Sequence, residues 1–254
     1  MTYKKTETSW EKASQWYHDI VGEEGHYYHQ HVIFPLLKSL LKTKKQDQSL
    51  LDLGCGQGAF SDQLEDNFTY DGVDAAPTLI KLARKTYKTS PRKDFHLADI
   101  CEPFEIKKSF THATFVLSFQ NLERPLEALK NAKKHLKQGG MLILVLNHPC
   151  FRVPRQSSWG IDEEKKIQYR RVDSYMSSNK VPIEMRPGTK EKVTTYSFHH
   201  SLTEIFSLLA TSGFTVSNLI ESTSDKNSTG KNGKMENRSR KEIPLFLTLV
   251  AKSL

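Results

Sequence analysis

The stretch Leu50-Leu51-Asp52-Leu53-Gly54-Cys55-Gly56-Gln57-Gly58 decides the fold of this 254-residue chain. Its leucines predict a buried β-strand, and the three glycines at alternate positions predict a loop with positive backbone φ angles directly after that strand. Because glycine has no side chain, such a loop lets the backbone approach a nucleotide-like ligand closely. Tight turns also use glycine for steric reasons alone, so the interpretation depends on the segments that follow.

Two later strand ends carry acidic residues that fit the same ligand. A second predicted strand over 70–74 ends at Asp74, at the distance along the chain where doubly wound nucleotide-binding folds place a carboxylate on the ribose hydroxyls. A third predicted strand over 94–97 leads to Asp99 and Ile100, an acid that suits the adenine amino group and an aliphatic side chain that suits the ring. Together the three strand ends predict a site for an adenosine-containing ligand.

These segments resemble the class I S-adenosylmethionine (SAM) dependent methyltransferases. Residues 52–58 resemble the first motif of that family, and residues 116–122 and 136–143 are similar to its fourth strand and to the turn and strand that follow. The resemblance implies an α/β fold with a doubly wound, seven-stranded, mostly parallel sheet. It also implies that the last strand, expected over 243–251, runs antiparallel between its neighbours.

The same resemblance implies SAM as the cofactor and gives roles to its contacts. Asp52 and the glycine backbone are expected at the methionine part, Asp74 at the ribose and Asp99 at the adenine. The full set of expected cofactor-binding residues is Asp52, Gly54, Cys55, Gly56, Gly58, Asp74, Ala75, Asp99, Ile100 and Ser118.

A Rossmann-type dehydrogenase is the main alternative for the glycine loop. That fold also combines a glycine turn with a ribose-binding acid, but its spacing is Gly-x-Gly-x-x-Gly. Here the glycines follow Gly-x-Gly-x-Gly, with an acid two residues before the first of them. The spacing therefore favours the methyltransferase.

Hydrophobic periodicity predicts one domain in four parts. These are a helical N-terminal extension (1–44), the SAM-binding core (45–147), a substrate lid inserted after the fifth strand (148–200) and the C-terminal part of the sheet (201–254). Within the core, helices are expected near 58–66, 77–88 and 123–137. The lid is predicted to bury apolar side chains of Phe151, Trp159, Ile167, Tyr169, Tyr175 and Met176. The polar stretch 222–241 is expected to be mobile.

Composition limits the class of protein further. The three cysteines are an odd number without paired spacing, which predicts neither a disulfide framework nor a zinc site. The longest apolar run is too short to cross a bilayer, and no secretory leader is visible, so we expect a soluble, cytoplasmic protein. The formal charge of +8 is spread over predicted helix faces without a recognisable binding module. We therefore do not expect a nucleic-acid partner.

Several side chains are candidates for handling the methyl acceptor. His148, directly after the fifth strand, is the candidate general base, since imidazole titrates near neutral pH; the alternative is a histidine that only hydrogen-bonds its loop. Arg152 and Arg155, with Arg170 and Arg171, are candidates for pairing with an acidic acceptor. The expected substrate-binding residues are Tyr27, Tyr28, His31, Arg152, Arg155 and Trp159. No metal site is predicted, because no carboxylate or cysteine completes the histidines near residue 29.

The resulting hypothesis is a SAM-dependent methyltransferase acting on a small-molecule acceptor, with an aromatic or quinone-like acceptor suggested by analogy. Two alternatives remain open from the sequence. One is a methyltransferase for RNA or protein, and the other is a sensor that binds SAM without turnover.

Overall fold

The computed structural model describes residues 9–43, 45–185 and 193–254. The predicted N-terminal extension and lid therefore include a few residues, 1–8, 44 and 186–192, that lie outside the described part. The strands are β1 (Gln48–Leu53), β2 (Phe68–Asp74), β3 (Lys93–Leu97), β4 (Phe110–Val116), β5 (Leu136–Asn147), β6 (Ser157–Asp162), β7 (Ile167–Val172), β8 (Asn179–Glu184), β9 (Thr194–His199), β10 (Phe214–Ser222) and β11 (Phe246–Ser253). The α-helices are α1 (Ser9–Val21), α2 (Phe34–Leu41), α3 (Pro77–Thr86), α4 (Pro125–His135), α5 (Leu202–Thr211) and α6 (Gly233–Glu242).

Seven of these strands form the predicted sheet. Their order across the sheet is β10-β11-β5-β4-β1-β2-β3. Neighbours from β5 to β3 pair in parallel, while β11 pairs antiparallel with both β5 and β10. The antiparallel last strand between two neighbours is confirmed. The order places the ends of β1 and β4 side by side at the centre of the sheet.

The hydrophobic core lies on both faces of this sheet. Side chains alternate between faces along a strand, so on β5 Leu142, Leu144 and Leu146 belong to one apolar cluster while Ile143 and Val145 belong to the other. Helices α4 and α5 contribute to the first cluster, and α2 and α3 contribute to the second. The continuous apolar sequence of β5 follows from burial on both faces.

The N-terminal helices form as the periodicity predicts. Helix α1 carries its aromatic and aliphatic residues at helical spacing, and a short π-helix at His29–Ile33 leads into α2. Pro35 lies in the first turn of α2, where its missing N–H costs no hydrogen bond. In the described residues, no helix has the length and apolar character needed to cross a membrane.

The helix expected over 58–66 is reduced to a 3₁₀ turn at Ala59–Gln63. Gly58 precedes it with a φ of 84°, and Leu64 already has extended backbone angles. The chain must enter β2 at Phe68, which leaves too few residues for a full α-helix.

The predicted lid consists of two β-hairpins, β6–β7 and β8–β9. Its apolar residues are less buried than predicted, since Trp159 is 38%, Tyr169 48% and Met176 70% exposed. The buried apolar residues of the segment include Val153, Val181, Met185 and Val193, and the last two pack with Ala13 of α1. Thus the β8–β9 hairpin, rather than the aromatic residues of β6–β7, joins this segment to the rest of the protein.

The polar stretch 222–241, for which the sequence predicts mobility, has regular structure in its second half. It contains α6, whose residue Ser239 hydrogen-bonds to Gln168 of β7 through Oγ at 2.5 Å. The guanidinium of Arg240 donates to Ser228 Oγ at 2.5 Å, which ties the helix to the preceding loop. Polar contacts therefore hold a helix that hydrophobic periodicity does not reveal.

Candidate active site

A cavity of about 910 Å³ opens where the parallel strands end. In open α/β sheets, ligands bind at this edge because loops after neighbouring strands meet there. The wall contains a residue from the end of each of the five strands β1 to β5, in chain order Gly54, Asp74, Asp99, Leu117 and Asn147. The cavity thus lies at the position that the strand-end residues predict.

The glycine loop forms one wall of this cavity. Gly54 has a φ of 77°, and a Cβ atom added to it would lie 2.4 Å from Cβ of Ser118. Gly56 has a φ of 58°, and an added Cβ atom would lie 3.1 Å from the ring of Tyr17. Gly54, Gly56 and Ser118 line the cavity. A side chain at Gly54 would collide with Ser118, and one at Gly56 would press on Tyr17, so glycine lets the loop pack closely against both residues.

Asp74 lies at the end of β2 beside the glycine loop. Its Oδ2 accepts a hydrogen bond from the N–H of Gly56 at 2.8 Å, and its Oδ1 accepts one from the N–H of Ala76 at 2.8 Å. Burial raises the pKa of this carboxyl group, while the backbone donors lower it. Asp74 and Ala75 both line the cavity. Each carboxylate oxygen retains a second lone pair, so the group can still accept hydrogen bonds from hydroxyl groups.

Asp99 and Ile100 follow β3 and line the cavity next to Asp74. Asp99 Oδ1 accepts a hydrogen bond from the N–H of Cys101 at 2.8 Å, which fixes the carboxylate in its turn. Its Oδ2 lies 3.9 Å from Nη2 of Arg124. A hydrogen-bond acceptor, the carboxylate of Asp99, therefore lies next to the apolar side chain of Ile100, and this combination suits a purine ring with an amino group.

Asp52 does not line the cavity, although the resemblance placed it at the methionine part of SAM. It is 2% exposed, and its two oxygens accept hydrogen bonds from the hydroxyl groups of Tyr70 and Thr114, each at 2.8 Å. Burial raises its pKa to about 6. Side chains alternate between the two faces along β1, and Asp52 lies on the face that it shares with Tyr70 and Thr114 of the neighbouring strands. Asp52 therefore supports the strand end from within the core.

Cys55 and Gly58 also lie behind the glycine loop rather than in the cavity wall. The Sγ of Cys55 donates to the carbonyl of Gly56 at 3.5 Å, and burial raises the pKa of the thiol. A Cβ atom at Gly58 would lie 2.5 Å from the ring of Phe95. Both residues shape the loop by packing, and neither lines the cavity.

Helix α1 closes the cavity, a role that the sequence did not reveal. Trp10, Trp16 and Tyr17 line its wall, and the ring of Tyr17 lies next to Gly56 of the glycine loop. The helix is attached to α3 through Glu11, which accepts hydrogen bonds from the hydroxyl of Thr78 at 2.6 Å and from its N–H at 3.1 Å. Burial raises the pKa of Tyr17, and the nearby charge of Asp74 adds to that shift. The number of aromatic residues on this short helix was the sequence feature that could have indicated its role in the site.

Of the six residues predicted to contact an acceptor, three line the cavity: Tyr28, Arg152 and Arg155. The other three lie elsewhere. Tyr27 donates its hydroxyl hydrogen to Asp225 at 3.0 Å and stacks on the ring of His31 with centroids 4.3 Å apart. Trp159 is 38% exposed on β6. Consecutive residues of a helix point about 100° apart, so Tyr27 turns outward where Tyr28 turns inward.

Comparison with known proteins decides the family. A family described as a methyltransferase domain matches residues 51–144, which contain the glycine loop, Asp74 and Asp99. Residues 51–144 of this chain are a methyltransferase domain of the class I SAM-dependent type. The cavity described above lies at the strand ends of this domain.

Curated relatives and solved structures agree with this family. A malonyl-[acyl-carrier protein] O-methyltransferase from Halalkalibacterium halodurans is 27% identical over 52% of this chain and 56% of that protein. A SAM-dependent methyltransferase structure from Mesorhizobium loti has a TM-score of 0.67 at 20% identity, covering 86% of this chain and 96% of that one. A SAM-bound amino pentose methyltransferase from Micromonospora echinaspora has a TM-score of 0.59 at 18% identity, covering 94% and 97%. The chain spans about half the length of the curated relatives it matches.

His148, the candidate base, lies outside the methyltransferase cavity. It is 1% exposed, and its Nε2 is 2.7 Å from Oε1 of Glu221. Its Nδ1 accepts a hydrogen bond from the N–H of Cys150 at 3.2 Å. Burial lowers the pKa of the ring, which Glu221 partly offsets. With Nε2 bonded to Glu221 of β10 and Nδ1 to the loop after β5, the geometry favours the alternative of a structural histidine.

The lid segment supplies cavity residues that sequence reasoning missed. Lys180, Tyr196 and Phe198 of the β8–β9 hairpin line the cavity, as does Arg170 of β7, whereas Arg171 is exposed and pairs with Asp173. The alternating pattern of residues along β9 could have indicated a strand in this segment. Pro182 in β8 argued against a strand pair, because proline is uncommon inside strands. In the described residues, no three His, Cys, Asp or Glu side chains are grouped as metal ligands.

Proposed function

We propose that this protein transfers the methyl group of SAM to a small-molecule acceptor bound in the same cavity. The observation that carries the proposal is that one cavity contains both the SAM-site residues Asp74 and Asp99 and the acceptor-side residues Tyr28 and Arg152. SAM supplies a methyl group on a positively charged sulfur, and transfer requires the acceptor atom to lie in line with that bond. A shared, partly closed cavity provides this arrangement.

The chain's residues fit SAM at several points. The backbone of Gly54 and Gly56 in the cavity wall is suited to the amino-acid part, and the free lone pairs of Asp74 are suited to hydrogen bonds from the ribose. Asp99 and Ile100 suit the adenine ring. Helix α1 covers the ligand and excludes water.

Aromatic side chains dominate the remaining wall and support a flat acceptor. They come from α1, the segment before α2, the β8–β9 hairpin and β11, and they are Trp10, Trp16, Tyr28, Tyr196, Phe198 and Phe246. Aromatic rings bury large apolar surfaces and stack on planar ligands. An aromatic or quinone-like acceptor is the finer proposal that this lining supports. The names of two relatives, for a malonyl group and an amino pentose, support small acceptors in general.

Positioning, rather than a strong base, is the contribution that we assign to the protein. His26 lines the cavity, but its Nδ1 accepts a hydrogen bond from the N–H of His29 at 3.3 Å. Burial lowers the pKa of His26, so the ring is neutral near pH 7 and carries its hydrogen on Nε2. The Nε2–H group of His26 can therefore donate a hydrogen bond to the methyl acceptor.

The test combines binding and turnover. Calorimetry with SAM should show binding to the intact protein. Incubation with methyl-labelled SAM and a small-metabolite extract freed of macromolecules should then yield a labelled small molecule. No heat with SAM would overturn the proposal. Binding without labelling of any metabolite extract would favour the sensor, and labelling of RNA or protein alone would favour the macromolecular alternative.

A further inference from the structure

The cations that line the cavity fall into two groups. Arg124 pairs with Glu102 at 2.6 Å, and Lys180 pairs with Glu123 at 2.8 Å. Within residues 9–43, 45–185 and 193–254, no carboxylate lies within 4.0 Å of the guanidinium groups of Arg152, Arg155 or Arg170. The second group of cations therefore lacks the counter-charge that the first group has.

Arg170 is held rigidly in this unpaired state. Its Nε donates to the carbonyl of Phe151 at 2.7 Å, and its Nη2 donates to Ser157 Oγ at 2.8 Å. Its guanidinium also lies 5.2 Å from the ring centroid of Trp159. All three partners are neutral, so they orient the group without compensating its charge. The remaining N–H donors of the guanidinium stay available to a ligand.

Arg152 is near Arg170 in the cavity wall, because Arg170 donates to the carbonyl of Phe151, the residue before Arg152. Its guanidinium stacks 5.5 Å from the ring centroid of Phe246, in a half-buried part of the wall. Burial lowers the pKa of Arg152, and the charge of Arg170 lowers it further. Two like charges in a partly desolvated wall are unfavourable until an anion joins them.

The position of this pair gives the cavity two electrically different ends. Arg152 lies over the first residue of β11, which is four strands away from β2 in the sheet. At about 4.8 Å per strand, that separation from the end of β2 is roughly 19 Å. The acids Asp74 and Asp99 therefore occupy one end of the cavity, and the unpaired arginines occupy the other.

We propose that the methyl acceptor carries a carboxylate or phosphate group, which binds between the guanidinium groups of Arg152 and Arg170. This inference rests on the proposed function and names the class of acceptor for the same site. Guanidinium groups match both anions through paired N–H donors, and a fixed Arg170 loses little conformational freedom on binding. Arg155, exposed at the cavity rim, adds favourable charge for an approaching anion.

The test uses probes that differ in charge but little in shape. Calorimetry in the presence of S-adenosylhomocysteine compares benzoate and phenyl phosphate with neutral benzamide. We expect at least one anion to bind about ten-fold or more tightly than benzamide, which corresponds to one charge-assisted contact of about 1.4 kcal/mol. The stronger of the two anions distinguishes a carboxylate from a phosphate acceptor.

Variants assign the preference to the proposed residues. Arg152→Gln and Arg170→Gln should each abolish the preference for the anion, whereas Arg171→Gln, which alters an exposed residue paired with Asp173, should retain it. Affinity for S-adenosylhomocysteine reports on folding, because the SAM-site acids lie at the other end of the cavity. If the unaltered protein does not bind S-adenosylhomocysteine, that result contradicts the proposed function. Three results with retained affinity for S-adenosylhomocysteine would overturn only the proposal of an anionic acceptor. They are equal binding of benzoate, phenyl phosphate and benzamide, no binding of any of the three, and an anion preference that survives both substitutions.

Discussion

Asp74 accepts a 2.8 Å hydrogen bond from the backbone N–H of Gly56, which links the end of β2 to the loop after β1. A second bond from the N–H of Ala76 fixes the other carboxylate oxygen. The same carboxylate that is proposed to bind the ribose therefore also holds the glycine loop in shape. Such preorganisation reduces the conformational entropy that ligand binding would otherwise cost.

Replacing Asp74 with alanine should weaken SAM binding about 10-fold to 100-fold. The variant loses a charged acceptor for the ligand and both bonds that hold the loop, and hydrogen bonds to charged groups contribute about 1.5–3 kcal/mol. Calorimetry with SAM measures the change. Asp66→Ala, an exposed acid before β2, is the matched control and should bind normally. Undiminished binding by Asp74→Ala would contradict the ribose assignment.

Gly54→Ala should destabilise the protein and block the SAM site. The added Cβ atom would lie 2.4 Å from Cβ of Ser118, on a residue whose φ is 77°. Gly139 offers a control, because its φ is 70° and nothing lies within 4 Å of an added Cβ atom. We expect Gly139→Ala to cost about 1–2 kcal/mol from backbone strain, and Gly54→Ala to cost clearly more. Chemical denaturation measures both, and equal losses would show that the close approach to Ser118 is unimportant.

The stability of the protein should depend on Asp52 between about pH 4 and pH 6. Its pKa is raised from 3.8 to about 6 in the folded protein, so the stability associated with its protonated form is fully present below pH 3.8 and is lost as the pH rises through 6. Asp52→Asn removes this titration. The free energy of unfolding of the variant relative to the unaltered protein should therefore rise by about 3 kcal/mol across that range. Denaturation at a series of pH values tests this, with Asp66→Asn as an exposed control. A pH-independent difference would show that Asp52 titrates normally.

Glu11→Ala should loosen α1 without unfolding the sheet. The substitution removes the acceptor for two hydrogen bonds from Thr78, which attach the helix to α3. We expect faster amide hydrogen exchange in residues 9–21 and roughly ten-fold faster dissociation of SAM, since charge-assisted bonds of this kind contribute about 1.5 kcal/mol or more. Gln15→Ala alters an exposed position of the same helix and should change neither. Unchanged exchange in the Glu11 variant would mean that apolar packing alone holds α1.

His148→Ala should lower thermal stability rather than the chemical rate. The ring is buried and bonded to Glu221, so its removal leaves a cavity. We expect the free energy of unfolding to fall by roughly 2–4 kcal/mol and the melting temperature to fall by about 5 °C or more. Methyl transfer per folded molecule, measured well below the melting temperature, should remain within a few-fold. A rate loss of about 100-fold or more with normal stability would restore His148 as the base.

The strand ends of this protein were predictable because their chemistry is local. A strand that runs into glycines, and acids such as Asp74 and Asp99 at the next two strand ends, report the cavity edge directly from sequence. Asp52 belongs to the same motif, yet its hydrogen bonds to Tyr70 and Thr114 come from neighbouring strands. Which face of a strand meets the cavity depends on register with distant segments, and one sequence does not contain that information.

The cover of the site was not predictable for a related reason. The helical spacing of apolar residues predicts an apolar face on α1 that includes Trp16 and Tyr17, but periodicity does not say which surface that face covers. The hairpin β8–β9 contains Pro182 and was interpreted as an irregular lid. His148 follows β5 as a catalytic residue would, but Glu221 of β10 binds it in the folded chain. The lining of the cavity by α1 and the bond between His148 and Glu221 both join segments far apart in sequence.

The location of β11 between β5 and β10 has a consequence for how the protein is made. The ribosome releases β5 and β10 before residues 246–253, and until then the backbone groups facing the missing strand stay unpaired. Open strand edges of this kind attract other chains and promote aggregation. Completion of the sheet must therefore await residues 246–253, and truncation before β11 should yield insoluble protein rather than a shorter folded domain.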